Sequence, residues 1–451
     1  MSTEDPSADQ RESATSGGGA YPHELALVVR ERWSSAHIDT TAPVLPLPDA
    51  VVLERVLSVC YQASLLREEG RSTTFRLAVS GPDAFAIAGG PPASLHRLVF
   101  TEGRPFDAHE LRRLAPAAAF QRAIIGAQPD ERGRLWIWGM IHSGPRWLQS
   151  VRGGREIRQV IPAILMVAVA GPGRLLVSRG TATIAELSDG IIGGPGMDLL
   201  QAQWMFDVLL PADDAGSQPR RGPREPATRR VEVDPAFRPL LTRHVLRRIL
   251  ATIREGQHGG ALILLPAPTA ANLLAAGRHL TLKYTFEDEE PRRRIVTLTA
   301  EIVGALARLQ GSCADESAVR WTEYEESLAP ELAALDEALF EVAHLVASLA
   351  EVDGAVVMTT SLELIGFGGE IAGHLPEVPR VAHALDLEAT RNQWVRTDRV
   401  GTRHRSAYRF CQVVRDALVV VISRDGGLRF VRWHNDAVTY WDQVATGPWE
   451  V

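Results

Sequence analysis

The chain has 451 residues, enough for roughly three domains and for a well-buried core. Hydrophobic residues make up 45% and charged residues 23%, which excludes a mostly disordered or fibrous protein. The formal net charge of −7 gives no overall attraction to nucleic acid or to an anionic membrane, so any phosphate binding must be local.

Arginine supplies nearly all of the positive charge. Among the 48 lysines and arginines, Lys283 is the only lysine, and no glycine run precedes it as a P-loop requires. The chain also lacks the His-Arg-Asp and Asp-Phe-Gly tripeptides of protein kinases. Walker-type ATPases and protein kinases are therefore excluded.

The cysteines and the apolar runs indicate a reducing, aqueous compartment. Cys60, Cys313 and Cys411 lie far apart, with neither a zinc-type pair nor a disulfide pattern. The most apolar run, residues 160–170, is shorter than the roughly 18 residues that a membrane span needs. Residues 1–20 are acidic and polar, and we interpret them as a disordered tail rather than a signal peptide. We therefore expect a cytoplasmic protein without membrane contact.

A proline-rich stretch, residues 211–230, contains no large apolar residue and predicts a linker or a long surface loop. Before this stretch, hydrophobic periodicity predicts a mixed α and β domain. Its predicted helices cover residues 51–66 and 107–114, and its predicted strands cover residues 74–79, 135–141 and 175–178.

The region after the proline-rich stretch is predicted to contain both helices and apolar strands. The helices cover residues 240–255 and 302–309, and the strands cover residues 261–265 and 280–286. The residues leave open whether these two strands complete the sheet of the first domain, with residues 211–230 as an inserted loop.

A helix followed by a short strand carries the first candidate site. Apolar residues recur in steps of three and four from Leu332 to Leu349, which predicts a helix packed on a sheet, with Pro330 near its start. The strand predicted at residues 352–358 follows directly. Asp353 and Gly354 lie at its beginning, where they place a carboxylate next to a flexible backbone position.

A basic turn carries the second candidate site. Gly401 precedes Thr402, which suits an N-cap, and residues 407–414 have a helical apolar face. Arg403, His404 and Arg405 then occupy the first helical turn, where cations oppose the helix dipole. Backbone N–H groups, a hydroxyl and guanidinium groups at one helix start suit a phosphate chain, although a solvated arginine-rich turn is the alternative.

Two further strands complete this region. Residues 417–423 are typical of a buried strand, and residues 428–433 alternate like its partner across a turn. We expect these strands, the Asp353 strand and the basic helix to belong to one domain.

These motifs resemble the diadenylate cyclase domain, of the DisA_N or DAC type, over about residues 320–445. The resemblance rests on Asp353-Gly354-Ala355, on the segment from Gly401 to Arg405 and on the strand ending at Ser423. It implies a mixed β-sheet flanked by helices, which condenses two ATP molecules into cyclic di-AMP. It also implies a homo-oligomer, at least a dimer of cyclase domains that meet face to face.

The resemblance implies roles for individual residues. Asp353 would bind Mg²⁺ or Mn²⁺ and help to activate the attacking hydroxyl, while Arg403 and His404 would act in catalysis. The nucleotide would contact the following residues: Gly354, Ala355, Gly401, Thr402, Arg403, His404, Arg405 and Ser423. In the family, acidic residues follow the serine; here Arg424 and Asp425 follow it, and only Asp425 could serve as a metal ligand.

The segment between the two motifs, residues 368–400, is longer than usual for the family and contains Trp394. Two alternatives to cyclic di-AMP synthesis therefore stay open. One is a catalytically weak or inactive nucleotide-binding sensor or scaffold, and the other is a cyclase that makes a different cyclic dinucleotide.

The front half of the chain resembles the DACNV domain, a sensor domain that precedes such cyclase domains in bacteria. The resemblance rests on residues 61–70 and 135–147 and implies an unknown small-molecule ligand. We accordingly assign residues 21–315 to an α+β sensor-like domain and residues 316–451 to the cyclase-like domain. No DNA-binding domain is expected, because the chain ends shortly after Trp441.

Overall fold

The chain forms two compact units in a computed structural model. The structure describes residues 19–35, 44–85, 95–120, 122–142, 162–180, 182–188, 190–194, 196–209, 232–256, 258–310, 318–327, 329–398, 400–423 and 427–442. Of these residues, 19–194 belong to the N-terminal unit and 196–442 to the C-terminal unit. The tail predicted at residues 1–20 and the linker predicted at 211–230 lie almost entirely outside the described residues.

The N-terminal unit is an eight-stranded sheet with helices, in the strand order β10-β9-β8-β7-β3-β5-β6-β4. Its described helices are α1 (Pro22–Arg32), α2 (Ala50–Ser64) and α3 (Ala108–Leu114). The strands of this sheet are β3 (Phe75–Val79), β4 (His96–Pro105), β5 (Ala123–Pro129), β6 (Leu135–His142), β7 (Leu165–Gly171), β8 (Arg174–Arg179), β9 (Ala182–Ser188) and β10 (Ile191–Gly193). Strands β1 (Arg67–Glu68) and β2 (Arg71–Ser72) form a separate ribbon.

Helix α2 shows how the sequence determines this unit. Asp49 caps the helix, because its side chain accepts hydrogen bonds from the backbone N–H groups of Val51 and Val52, both at 2.9 Å. The buried face of α2 includes Leu53 and Leu57, which lie in the same core cluster as strands β3, β5 and β7. The predicted mixed α and β character of this part of the chain is confirmed.

The C-terminal unit is a nine-stranded mixed sheet with helices, in the strand order β12-β14-β13-β11-β17-β18-β19-β15-β16. Its described helices are α4 (Gln203–Leu209), α5 (Phe237–Glu255), α6 (Ala267–Ala276), α7 (Glu289–Gln310), α8 (Trp321–Glu326), α9 (Pro330–Leu349) and α10 (Thr402–Val413). Its strands are β11 (Gly260–Leu265), β12 (Leu280–Thr285), β13 (Ala355–Thr359), β14 (Leu364–Ile371), β15 (Arg380–Ala384), β16 (Asn392–Arg396), β17 (Leu418–Ile422), β18 (Leu428–His434) and β19 (Ala437–Trp441).

Helices cover both faces of this sheet. Side chains alternate along β11, so that Leu262 and Leu264 join the core formed with α5, α7 and α9. Ile263 and Leu265 instead join the core formed with α10 on the opposite face. Strand β11 runs parallel to β13 and antiparallel to β17. The mixed sheet flanked by helices agrees with the fold class predicted from the sequence.

The structure moves the predicted domain boundary from residues 315/316 to residues 195/196. Strands β11 and β12 belong to the sheet of the C-terminal unit, not to that of the N-terminal unit. The physical reason is pairing: β11 lies between β13 and β17 and hydrogen-bonds to both, while β12 pairs with β14. The question that the sequence left open is answered for both strands.

A buried ion pair connects helices α5 and α9. Arg248 of α5 donates to the Asp336 carboxylate of α9 at 2.5 Å, and the Arg248 side chain is fully buried. The hydroxyl of Tyr324 donates to the same carboxylate oxygen at 2.7 Å. The Arg248 guanidinium also lies 4.2 Å from the ring centre of Phe340. These contacts satisfy charges that would otherwise destabilise the interior.

Charged residues interrupt even the long helices. Helix α7 has 22 residues and carries Glu289, Glu290 and Arg292 to Arg294 near its start. In the part of the chain that the structure describes, no helix combines the length and apolar character needed to cross a membrane.

Candidate functional site

A cavity of about 470 Å³ lies at one edge of the C-terminal sheet. Strands β11 and β13 are parallel, so both begin at this edge, and the antiparallel β17 ends there. The lining residues are His258, Gly259, Gly260, Ala350, Glu351, Val352, Asp353, Gly354 and Arg403. We call this space the DGA cavity, after Asp353-Gly354-Ala355.

Asp353 reaches the cavity because a tight turn joins α9 to β13. Gly354 has φ +117°, a conformation that glycine adopts readily. A Cβ at this position would lie 2.6 Å from the carbonyl carbon of Gly368 and 2.9 Å from the nitrogen of Gly369. The backbone of Gly354 therefore packs directly on β14, which fixes the turn that carries Asp353. Ala355 is buried in the sheet and does not line the cavity.

Arg403 approaches the same cavity from the first turn of α10. The N-cap of this helix is Gly401, with Thr402 as the first helical residue and without a side-chain capping bond. The prediction that Thr402 is the N-cap is therefore wrong by one residue. The amide of Arg405 bonds to the Gly401 carbonyl at 3.2 Å, so the amides of Thr402 and Arg403 precede the first hydrogen bond within the helix. Backbone amides at a helix start and an exposed guanidinium such as that of Arg403 are groups suited to binding an anion.

The basic motif divides between two cavities. Arg403 lines the DGA cavity, whereas Arg405 lines a second cavity with other residues of α10. Neither lining includes His404. The structure thus brings together Asp353, Gly354 and Arg403, but not Arg405.

Ser423 follows β17 at the same sheet edge, since its neighbour Ile422 pairs with Gly260. Both its amide and its hydroxyl bond to the carbonyl of Gly427, at 2.9 and 3.1 Å, which closes the turn to β18. Ser423 is thus held at the edge that carries Asp353. Asp425, the second predicted metal ligand, lies outside the described residues.

Two polar pairs near Asp353 were missed by the sequence reasoning. His258 Nε2 lies 2.8 Å from Glu351 Oε1, and both residues line the cavity. Lys283 Nζ lies 2.6 Å from Glu370 Oε1. The hydrogen bond and charge of Glu370 raise the pKa of Lys283, and the charge of Asp353 adds to this effect. Lys283 is the sole lysine of the chain, and this was the one signal in the sequence that pointed to it.

The described residues offer few ligands for a metal ion. Within them, no three His, Cys, Asp or Glu side chains are grouped so as to hold a metal. Mg²⁺ is often bound by one or two carboxylates together with substrate phosphates and water. Asp353 beside an anion-binding helix start fits that mode of binding, in which the substrate completes the ligand set.

Comparison with known families gives a match in the N-terminal unit. Residues 42–142 match the family described as Probable sensor domain DACNV, a domain found in diadenylate cyclases. The predicted resemblance to DACNV is therefore confirmed for this range, which contains residues 61–70 and 135–142. The match ends well before Asp353. No curated protein and no solved structure matches the chain significantly.

Proposed function

We propose that the C-terminal unit is a nucleotidyltransferase that condenses two ATP molecules into cyclic di-AMP. The observation that carries this proposal is that Asp353 and Arg403, from two distant motifs, line one cavity. The cavity thus combines a carboxylate with a cation and a helix start suited to phosphate. The DACNV match supports the proposal, because that domain is found in diadenylate cyclases.

The proposed reaction needs a proton acceptor and a phosphate holder. In each of two steps, the 3′-oxygen of one ATP forms a bond to the α-phosphorus of the other, and the bond from that phosphorus to the β-phosphate oxygen breaks. Pyrophosphate leaves, and the hydroxyl proton passes to the Asp353 carboxylate. Arg403, with the amides at the start of α10, holds the negative charge that develops on the phosphate oxygens. Gly354, which lines the same cavity, would contact the nucleotide through its backbone.

A divalent cation fits beside Asp353. Mg²⁺ or Mn²⁺ would be held by Asp353 and by the substrate phosphates, and when bound it would stabilise charge on the reacting phosphate. The expectation that Asp425 also contributes stays a prediction.

Two protomers are required in this proposal. Each DGA cavity would hold one ATP, and symmetric pairing would bring each 3′-hydroxyl to the α-phosphate of the other nucleotide. Specific activity should therefore rise with enzyme concentration over the range in which protomers associate. Full activity in a preparation that light scattering shows to be strictly monomeric would contradict face-to-face pairing.

The N-terminal unit would regulate the reaction. Its DACNV match supports a sensory role, and we propose that it binds a small molecule that alters the cyclase activity. A screen of small molecules by thermal shift, followed by cyclase assays with each hit, tests this part separately from catalysis.

Mass spectrometry of the reaction products tests the proposed activity. The full chain is incubated with ATP, with GTP and with both, in the presence of Mg²⁺ or Mn²⁺. Cyclic di-AMP from ATP is the expected product, whereas a guanine-containing product would favour a different cyclic dinucleotide. ATP binding without any product would favour the nucleotide-binding sensor or scaffold.

Asp353→Asn should lower the rate by roughly 10² to 10³ while ATP still binds. The matched control is Asp436→Asn, in the exposed turn between β18 and β19, where activity should not change. Replacing Arg403 and His404 together by Ala should weaken ATP binding without lowering the melting temperature. Unchanged turnover in Asp353→Asn would remove this carboxylate from the mechanism.

A further inference from the structure

A second cavity, of about 420 Å³, lies between α10 and the β15–β16 hairpin. Its lining includes Tyr408 of α10 and charged residues from both the hairpin and the helix. It shares no lining residue with the DGA cavity. We call it the arginine cavity.

Four arginines and two acidic residues line this cavity. Arg409 pairs with Glu377 at 3.1 Å, and Arg396 pairs with Asp398 at 2.9 Å. The ion pairs of the described residues at this cavity leave out Arg380 and Arg405. Two positive charges are therefore left uncompensated in one cavity of a chain whose net charge is −7.

The hairpin holds two of these cations in an unfavourable position. Arg380 of β15 lies directly opposite Arg396 of β16 in the antiparallel register. Side chains at opposed positions project from the same face of the sheet, and like charges there destabilise the pairing. Of these two arginines, Arg396 forms an ion pair with Asp398.

Helix α10 also places two like charges close together. Arg405 and Arg409 are four residues apart on the helix, a spacing at which like charges repel. Arg405 also lies in the first turn, where a cation opposes the helix dipole. At these largely exposed positions each placement costs only a little stability, and an anion bound among the four arginines would offset that cost.

We propose that the arginine cavity binds the diphosphate or triphosphate group of a ligand separate from the nucleotide in the DGA cavity. Guanidinium groups bind phosphate oxygens through paired hydrogen bonds, and two uncompensated cations match a ligand with at least two negative charges. A volume of about 420 Å³ accommodates free pyrophosphate or a nucleoside diphosphate.

One wall of the cavity is already fixed in place. The hydroxyl of Tyr408 accepts a hydrogen bond from Arg429 at 3.1 Å, and Arg429 also pairs with Asp442 at 3.2 Å. The buried Tyr408 side chain is thereby oriented before any ligand arrives. The proposal requires only anion binding and does not depend on the proposed cyclase activity.

Titration calorimetry with pyrophosphate tests the proposal. The reference protein is the full chain carrying Arg403→Ala, so that binding in the DGA cavity contributes little. Adding Arg380→Gln should weaken pyrophosphate binding about 10-fold or more, because one charge-assisted contact is lost. The matched control adds Arg391→Gln, which removes the same charge from the loop before β16, outside the cavity, and should leave the affinity unchanged. ADP should show the same loss with Arg380→Gln.

Thermal melting without ligand separates a binding role from a structural one. Arg380→Gln removes the repulsion with Arg396, so its melting temperature should equal or exceed that of the reference protein. Three results would overturn the proposal: no pyrophosphate binding by the reference protein, equal affinity in Arg380→Gln, or a loss of affinity that accompanies a lowered melting temperature.

Discussion

The backbone of Gly354 lies against the backbone of Gly368, so closely that even a methyl group does not fit between them. Gly354 belongs to the turn that presents Asp353, and Gly368 belongs to the neighbouring strand β14. The position of the candidate carboxylate is therefore set by a contact between two glycines. Any side chain at residue 354 must move the strand or the turn.

Gly354→Ala is expected to destabilise the protein by roughly 2–4 kcal/mol, because it combines an unfavourable φ with a backbone clash. Gly277→Ala is the matched control, since Gly277 also has a positive φ, +58°, but has no atom within 4 Å of a Cβ there. The control should cost about 1 kcal/mol. Urea unfolding measures both, and equal losses would show that the contact with Gly368 is unimportant.

Asp336→Ala is expected to cost about 3–5 kcal/mol, because it leaves the buried guanidinium of Arg248 without its carboxylate. Glu331→Ala, in the same helix, breaks an exposed pair with Arg308 and should cost less than about 1 kcal/mol. Urea unfolding compares the two. A small loss for Asp336→Ala would mean that water reaches Arg248 in the variant.

Acid should weaken the C-terminal unit through Asp442. Burial opposes ionisation of this carboxyl, but the hydrogen bond and charge of His383 and the charge of Arg429 outweigh burial and hold its pKa below 3.8. A carboxyl with a lowered pKa stabilises the fold above its unfolded pKa, and this contribution is lost as pH falls through the folded pKa.

Asp442→Asn should therefore melt at a lower temperature at pH 7 and should lose less stability than the wild type between about pH 5 and pH 3. Asp436→Asn serves as the control, because its side chain lies in an exposed turn of the neighbouring hairpin. Melting curves across this pH range provide the measurement. Parallel pH profiles for wild type and Asp442→Asn would contradict the assignment.

A fragment of residues 196–451 should fold, whereas a fragment of residues 316–451 should aggregate. The shorter fragment lacks β11, so the buried strands β13 and β17 lose the strand that lies between them. Unpaired apolar strand edges promote aggregation. Size-exclusion chromatography and circular dichroism of the two fragments check this expectation, and a soluble, structured shorter fragment would refute it.

The helices and strands near the two motifs were largely predictable. The apolar spacing from Leu332 to Leu349 gave α9, and the buried face around Phe410 gave α10, because helical periodicity is a local property. The sheet to which β11 belongs was not predictable, since its partners β13 and β17 lie far along the chain. A buried apolar strand has the same pattern in either sheet.

The candidate site was predictable in part. The resemblance to a known family grouped Asp353, Gly354 and Arg403, which the structure places around one cavity. His258 was missed because only the parallel pairing of β11 and β13 brings it to Asp353. The separation of Arg405 from Arg403 could have been foreseen, because residues two apart on a helix point to different faces.

The pairing of β11 with β17 also determines when the DGA cavity can form. Its register joins Gly260 to Ile422, two residues that are far apart in the sequence. Contacts between such distant residues slow folding, because the chain must lose conformational entropy before the stabilising contacts between the strands can form. On the ribosome, β11 is made long before its second partner strand and must wait for it. The edge that holds Asp353 is therefore completed only after β17 has been synthesised.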